Sequence, residues 1–275
     1  MSILISVITV CLNAEKDIEY TINSVLDQDF TDYEYLIMDG GSDDFTIDIA
    51  ERYRARFREK NISFDMVSEK DEGLYDAMNK AAGHAAGEWI IFINAGDALF
   101  DRNVLKNLSA EISDRYDVLY GDAVMLEKGM YKLLRAESVE RLRNTNPICH
   151  QASITRTKAV RKYSFDSRYK IAADFDLFLK IYLSDADRFK ELEMPFCVFK
   201  LGGISNSNIL LREKEFDASR KMNGMKRVMF PGLLIMAVVV FNMLRGLFKE
   251  ILGQGYYSQS RGWFNDRYEA VKADV

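Results

Sequence analysis

Three short acidic stretches carry residues whose types and spacing can do chemistry. The first is Asp39-Gly40-Gly41-Ser42-Asp43-Asp44. Its glycines let the backbone turn sharply and come close to a ligand, and a carboxylate there can accept from a ribose hydroxyl or a base N–H. The same hexapeptide reads equally as a solvated turn with a helix cap at Asp44. The second is Asn94-Ala95-Gly96-Asp97, after an apolar run. A carboxylate at such a strand end can ligate Mg2+ or Mn2+, with diphosphate oxygens completing the octahedron; with one acidic residue, a plain polar turn also fits. The third is Ile171-Ala172-Ala173-Asp174-Phe175-Asp176. On a helix, side chains two positions apart point in different directions. One aspartate can face a cleft as general base while the other supports the helix start, or both can simply complement the helix dipole.

Other residue types narrow the chemistry. There are two histidines, His84 and His150, too few for a multi-histidine metal site. His84 reads as a packing or surface residue, whereas His150-Gln151 precedes a strand and is a candidate for the cleft lining. HExxH, GxSxG and GxxxxGK[ST] are absent from the sequence, which removes support for a zinc protease, an α/β-hydrolase or a P-loop enzyme. Cys11, Cys149 and Cys197 are odd in number and far apart, against a disulfide framework and for a reducing compartment. The formal net charge of −5 argues against non-specific nucleic-acid binding, which needs a basic face.

The elements that must position these residues are legible in the pattern. With 275 residues and 48% hydrophobic content, the chain can bury a full core. Ile3 to Cys11 is apolar on both faces and predicts a central parallel strand; it lacks the leader pattern of a signal peptide. Helix Asp17–Gln28, strand Tyr35–Met38, helix Thr46–Arg58, strand Ser63–Val67, helix Ala77–Ala86 and strand Trp89–Ile93 follow. This alternation predicts a parallel sheet with right-handed crossovers. Ligands on such sheets bind at the carboxyl ends of the strands, where this sequence places Asn13, Asp39, Glu69, Asp71, Asn94 and Asp97. Further on, separate strands are expected at Val118–Tyr120, Met130–Leu134, Ala152–Thr155 and Phe196–Phe199, with a helix at Ala173–Leu183.

Taken in order, these segments resemble family 2 glycosyltransferases of the GT-A fold. Ser6 to Asn13 is similar to that family's first strand and its asparagine turn. Asp39 to Thr46 is similar to its DDGSxDxT signature, with Gly40 in place of the second Asp. Asp71 to Lys80 resembles a segment of a bacterial exopolysaccharide (colanic-acid-type) branch, as does Leu201-Gly202-Gly203-Ile204-Ser205. Asn94 to Asp97 occupies the DxD position, with Asn94 and Gly96 replacing acidic residues. Asp174 lies at the position of the catalytic base. The resemblance implies an α/β GT-A domain over residues 1–220. Its nucleotide-binding half would be 1–100 and its acceptor half 101–220. It implies an inverting single displacement from a nucleotide sugar, with UDP the family's habitual carrier. Thr9, Asn13, Asp39, Ser42 and Asp71 would bind the nucleotide, and Asp97 a divalent metal, Mn or Mg. Asp174 would be the base, and Asn94, Gly96, His150, Gln151 and Asp176 would line the donor and acceptor cleft.

Residues 221–275 form a distinct tail. Val228 to Leu244 is strongly apolar, with Lys226-Arg227 before it and Arg245 after it. It is short for a spanning helix, and its basic flanks suit an interfacial helix on the inner face of the cell membrane. Packing into a homo-oligomer stays open. The expected acceptor is a lipid-linked or other saccharide. Two other classes remain: a nucleotidyltransferase, disfavoured because Asn13-Ala14-Glu15-Lys16 has no glycine to hold a triphosphate, and a catalytically degenerate membrane scaffold, favoured by the thinned DxD segment.

Overall fold

Strand β1 (Ile5–Cys11) is buried along its whole length, as a run apolar on both faces requires. In the computed structural model, which describes residues 3–127, 129–200, 208–225 and 268–270, it is the centre of the sheet. It pairs in parallel with β2 (Tyr33–Asp39) on one side and β4 (Trp89–Phe92) on the other, and β2 pairs in parallel with the edge strand β3 (Ser63–Ser68). Alternate side chains sort into two cores. Ile8 and Val10 join Ile90 and Phe92 on one face, packed under helices α4 (Leu74–His84), α6 (Thr157–Tyr163) and α7 (Ala173–Ser184). Ile5 and Val7 join Tyr35, Ile37 and Ile91 on the other, under α1 (Ile18–Leu26) and α5 (Val104–Glu111).

The second half extends the same sheet rather than building a new one. Strand β8 (Ser153–Arg156) runs antiparallel to β4, with Ile91 opposite Ile154. Its other neighbour is β6 (Val118–Glu127), which also pairs with β7 (Met130–Leu134) and, in parallel, with β9 (Phe189–Lys200). The two-residue strand β5 (Ala98–Leu99) pairs antiparallel with the end of β9, Ala98 opposite Val198. A terminal strand β10 (Tyr268–Ala270) pairs with β7. The order β10-β7-β6-β8-β4-β1-β2-β3 is a mixed α/β sheet flanked by helices.

Some expectations on element length change. The expected helix Thr46–Arg58 is two, α2 (Thr46–Glu51) and α3 (Arg54–Glu59). The break falls at Tyr53, which is buried and donates its hydroxyl to Glu19, so the chain tightens there with a Tyr53 N–H to Ala50 carbonyl bond. Strand β9 begins at Phe189, well before Phe196. Pro195 interrupts its pattern, and a bulge opposite Gly121 and Asp122 absorbs it. A helix not anticipated, α8 (Ile209–Met222), packs on α7 and runs past the boundary drawn at residue 220. The Leu201–Ser205 segment and the apolar 228–244 run lie outside the described residues; among those described, no helix is long and apolar enough to cross a membrane.

Candidate active site

Where β2 ends, Asp39 is fully buried and organises the loop that follows. Its Oδ2 accepts the backbone N–H of Gly41 (3.0 Å) and of Ser42 (2.9 Å) and the Ser68 hydroxyl (2.6 Å), while Oδ1 accepts the Ser42 hydroxyl (2.5 Å). Gly41 sits at φ +87°, a conformation that glycine adopts without penalty and that lets the two N–H groups converge. Burial pushes the Asp39 carboxyl up, but these donors from Ser42, Ser68 and the backbone win and hold it below the usual carboxylate range. The loop is locked to the turn after β1. The Asn13 N–H donates to Ser42 Oγ at 2.7 Å, and Asn13 Oδ1 accepts from the Asp43 N–H at 3.0 Å. Thr9 does not reach the cleft. It is fully buried, with its hydroxyl on Tyr35 Oη and the Ile93 carbonyl, and fastens strands together.

At the end of β4, Gly96 adopts φ +95° and Thr21 of α1 bonds both sides of the turn, accepting from Gly96 N–H at 2.9 Å and donating to the Asp97 carbonyl at 2.7 Å. The β5–β9 pairing then sets Asp97 beside the end of β9. Asp97 is buried, and its Oδ2 accepts from Gln151 Nε2 at 3.1 Å. Burial pushes its carboxyl up to about 7, against hydrogen bonds from Gln151 and the Lys200 backbone.

Topology explains why Gln151 is there. Because β8 is antiparallel to β4, the 3-10 turn leading into it (His150–Ala152) lies beside the carboxyl end of β4. His150 and Gln151 are therefore both brought to the turn that ends β4. Gln151 takes Asp97; His150 Nε2 lies 3.4 Å from Asn94 Nδ2 and its Nδ1 3.8 Å from Asp174 Oδ2. Burial lowers His150 to about 4, although 20% of its side chain remains exposed to the cleft, so the ring beside Asp174 is neutral at pH 7.

Asp174 opens α7. Its Oδ1 accepts from the Phe175 N–H (2.8 Å) and its Oδ2 from Asn146 Nδ2 (3.2 Å), and burial pushes it up to about 6 despite those bonds. Asp176 turns away. Its Oδ1 accepts from Ser219 Oγ (2.7 Å) and Asn223 Nδ2 (3.0 Å) of the α8 end, and Lys180 Nζ lies 2.6 Å from its Oδ2. Asp176, expected to line the cleft, is thus taken up by α8 and Lys180 instead, because side chains two positions apart on a helix point in different directions. His84 is exposed, as read.

Several positioning residues carry no local sequence signal. Glu215 of α8 accepts the N–H groups of Lys170 (2.9 Å), Ile171 (2.8 Å) and Ala172 (3.0 Å), and Tyr75 of α4 donates to the Ile171 carbonyl at 2.7 Å. Both fix the turn that presents Asp174. Asn146 was findable only as part of an Asn-Pro turn.

The sites for a divalent ion are few: among the described residues, no group of three or more His, Cys, Asp or Glu side chains is gathered to hold one. Two hard oxygens do sit on one turn, however. Asn94 Oδ1 is buried with no hydrogen-bond partner, and Asp97 is a buried carboxylate. Together they fit an oxygen-seeking ion whose other positions come from a ligand.

The model of the family described as "Glycosyl transferase family 2" matches residues 6–198. A "PGL/p-HBAD biosynthesis glycosyltransferase" of Mycobacterium tuberculosis is 29% identical over 217 residues, which is 78% of this chain and 82% of that protein. Among solved structures, Staphylococcus aureus TarS 1–349 in complex with UDP-GlcNAc aligns with a TM-score of 0.62 at 22% identity, covering 80% of this chain and 65% of that one. The mannosyltransferase PcManGT of Pyrobaculum calidifontis, in complex with GDP-Man and Mn2+, aligns with a TM-score of 0.60 at 17% identity, over 81% of this chain and 65% of that one. The chain thus spans about two thirds of those structures, and the likeness to them is one of fold. With the family model covering most of the chain, the protein belongs to glycosyl transferase family 2 and is a glycosyltransferase.

Proposed function

We propose that the protein transfers a sugar from a nucleotide sugar to a hydroxyl of a lipid-linked or other saccharide acceptor, with inversion, in cell-surface polysaccharide synthesis. One observation carries this reading. The consecutive residues His150 and Gln151 bring the buried carboxylates of Asp97 and Asp174 into one cluster at the carboxyl ends of the strands. The UDP-GlcNAc of TarS and the GDP-Man of PcManGT support the class of donor, and the Mn2+ of PcManGT supports the divalent ion.

In this reading Asn13 and Asp71 border the nucleoside, with Ser42 and Asp39 shaping the loop. Asn94 and Asp97 would hold a divalent ion, with Gln151 orienting the Asp97 carboxylate. When bound, that ion neutralises charge on the departing nucleoside diphosphate. Asp174 Oδ2 accepts the acceptor hydroxyl proton as the hydroxyl oxygen bonds to the anomeric carbon. The bond from that carbon to the diphosphate oxygen breaks, and its electron pair leaves with the nucleoside diphosphate. Attack opposite the leaving group inverts the anomeric centre. Asn146 and neutral His150 keep Asp174 aimed at the cleft.

The basic-flanked tail is proposed to hold the enzyme on the inner face of the cell membrane, next to a lipid-linked acceptor. Incubation with a panel of nucleotide sugars and lipid-linked acceptors, with and without Mn2+, tests the function. Nucleoside diphosphate release and a product of inverted anomeric configuration are expected. Turnover unchanged in Asp174→Asn would remove the mechanism. Flotation with anionic vesicles, compared with a chain ending at residue 225, tests the tail.

A further inference from the structure

Helix α8 carries a buried cation that the chemistry above does not use. Arg220, in its last turn, is 5% exposed, and its Cζ lies 5.9 Å from the centroid of the Phe175 ring. Burial holds it below the ordinary arginine range, with Asp217 and Glu213 of the same helix acting the other way. Those two carboxylates are paired elsewhere, Asp217 with Lys221 at 2.6 Å and Glu213 with Arg212 at 3.2 Å. What the guanidinium holds is backbone. Its Nη1 donates to the Asn144 carbonyl at 2.9 Å, while Nε is buried with no hydrogen-bond partner. As a packing residue this is a poor choice, because a buried charge without a paired carboxylate costs more than an apolar side chain of similar volume.

Both of its contacts bear on Asp174. Asn144 opens the Asn144-Thr145-Asn146-Pro147 turn, and Asn146 Nδ2 donates to Asp174 Oδ2 at 3.2 Å. Phe175, whose ring Arg220 covers, gives its N–H to Asp174 Oδ1 at 2.8 Å. The turn's own bonds are local, with the Asn144 and Thr145 N–H groups both on the Arg141 carbonyl at 2.8 Å. Arg143 Nε ties the preceding residues to Tyr182 of α7 at 3.2 Å, and Arg220 ties the turn itself to α8. The two groups that grip the Asp174 carboxylate are thus joined by one side chain from a distant helix.

Resting on the reading of Asp174 as the base, we propose that Arg220 is a positioning residue for sugar transfer, whose bond to the Asn144 carbonyl sets the turn so that the Asn146 amide stays on Asp174 Oδ2. Without that bond the turn is free to move off. Asp174 then loses both a donor that favours its ionised form and the fixed direction of its proton-accepting oxygen. The titratable groups facing Asp174 are His150 from the turn before β8, Tyr75 from α4 and Glu215 from α8, and the variants below leave all three in place.

The test uses the full chain. Isotope-edited infrared titration with labelled aspartate reads the Asp174 carboxyl without any substrate, its band assigned by loss in Asp174→Asn. Asn146→Ala and Arg220→Met should each raise its midpoint by about one pH unit. Arg220→Met added to Asn146→Ala should shift it little further, because both act through one bond. Arg220→Lys, which keeps a donor for the Asn144 carbonyl, should bring the midpoint back toward wild type. In turnover, read as nucleoside diphosphate release with a donor from the panel above, Arg220→Met should lower kcat roughly tenfold. The acceptor KM and nucleoside diphosphate affinity should stay within about twofold. Each variant is measured below its melting onset. A wild-type midpoint in Arg220→Met overturns the proposal, as does a second full shift in the double variant, which would make Arg220 act through space rather than through Asn146. A lysine variant no better than the methionine one also overturns it. Wild-type turnover in Asp174→Asn instead removes the base reading, and this inference with it.

Discussion

His150 Nδ1 stands 3.8 Å from Asp174 Oδ2, and the ring is uncharged while the carboxyl is hard to ionise. On the other side of the ring, Nε2 faces Asn94 Nδ2 at 3.4 Å. At pH 7 the pair is therefore a neutral ring beside a carboxylate rather than an ion pair.

The first prediction follows from the sign of the Asp174 shift. Its carboxyl is raised to about 6, so below that pH it already holds a proton and cannot accept one from the acceptor. The value of kcat/KM for the acceptor should rise with pH through about 6 and level off above it. Asp174→Asn should lower turnover by roughly 10^2- to 10^4-fold with nucleotide binding retained. Stability has the opposite dependence. A folded carboxyl raised above its unfolded value stabilises the fold at low pH, and that contribution is lost as pH rises through about 6. Asp174→Asn should therefore melt at or above the wild-type temperature at pH 8, with the gap on the order of 2 kcal/mol shrinking at pH 5. A flat rate profile from pH 5 to 8 would contradict the base assignment.

A second prediction concerns Gln151. Its amide orients Asp97 without being itself a carboxylate or a base. Groups that orient a metal ligand typically contribute ten- to a hundredfold in metal affinity. Gln151→Ala should raise the Mn2+ concentration for half-maximal nucleoside diphosphate release by about that factor. Saturating Mn2+ should restore most of the rate. Asp97→Ala, which deletes the ligand, should not be rescued.

The sequence was informative wherever function depends on local chemistry. Ile5 to Cys11 is apolar on both faces, so its central place in the sheet followed, and the polar residues after each strand marked the cleft edge. It was silent where two distant segments decide the outcome. Glu215 meets Ala172 across 43 positions, through a helix whose polar pattern hid its packing. Asp39 reads as a ligand in a Gly-rich turn, but that Ser68 from another strand bonds its Oδ2 has no sign in the sequence. Gly40 looks like a lost acid until Asp71 is seen above it. Thr9 sits in a functional-looking stretch, but its hydroxyl is taken up by Tyr35 Oη and the Ile93 carbonyl inside the fold.

Glu215 gives a third prediction. Removing its carboxylate leaves three backbone N–H groups of the Lys170–Ala172 turn without their acceptor. Glu215→Ala should cost at least about 2 kcal/mol, a melting shift of roughly 4–8 °C for a domain of this size. Because that turn presents Asp174, kcat should fall by about tenfold or more while nucleoside diphosphate affinity changes little. Glu215→Gln, which keeps one acceptor oxygen, should fall between. A loss of nucleotide affinity equal to the loss in kcat would place Glu215 elsewhere in the mechanism.

The last prediction separates Asp176 from Asp174, two acids that the sequence offers as near equals. Asp176 is 1% exposed and ties α7 to the end of α8 through Ser219, Asn223 and Lys180. Breaking such a buried network leaves a lysine and two polar groups without their partner. Asp176→Ala should therefore lower stability by about 2–4 kcal/mol, and its melting temperature should fall clearly. Chemistry should be spared, because Asp176 faces α8 rather than the cleft. At a temperature where the variant is folded, its kcat should stay within about threefold of wild type, and its pH profile should keep the acid limb near 6 that Asp174 sets. A variant that melts like wild type yet turns over as slowly as Asp174→Asn would reverse the two assignments and place Asp176 at the acceptor.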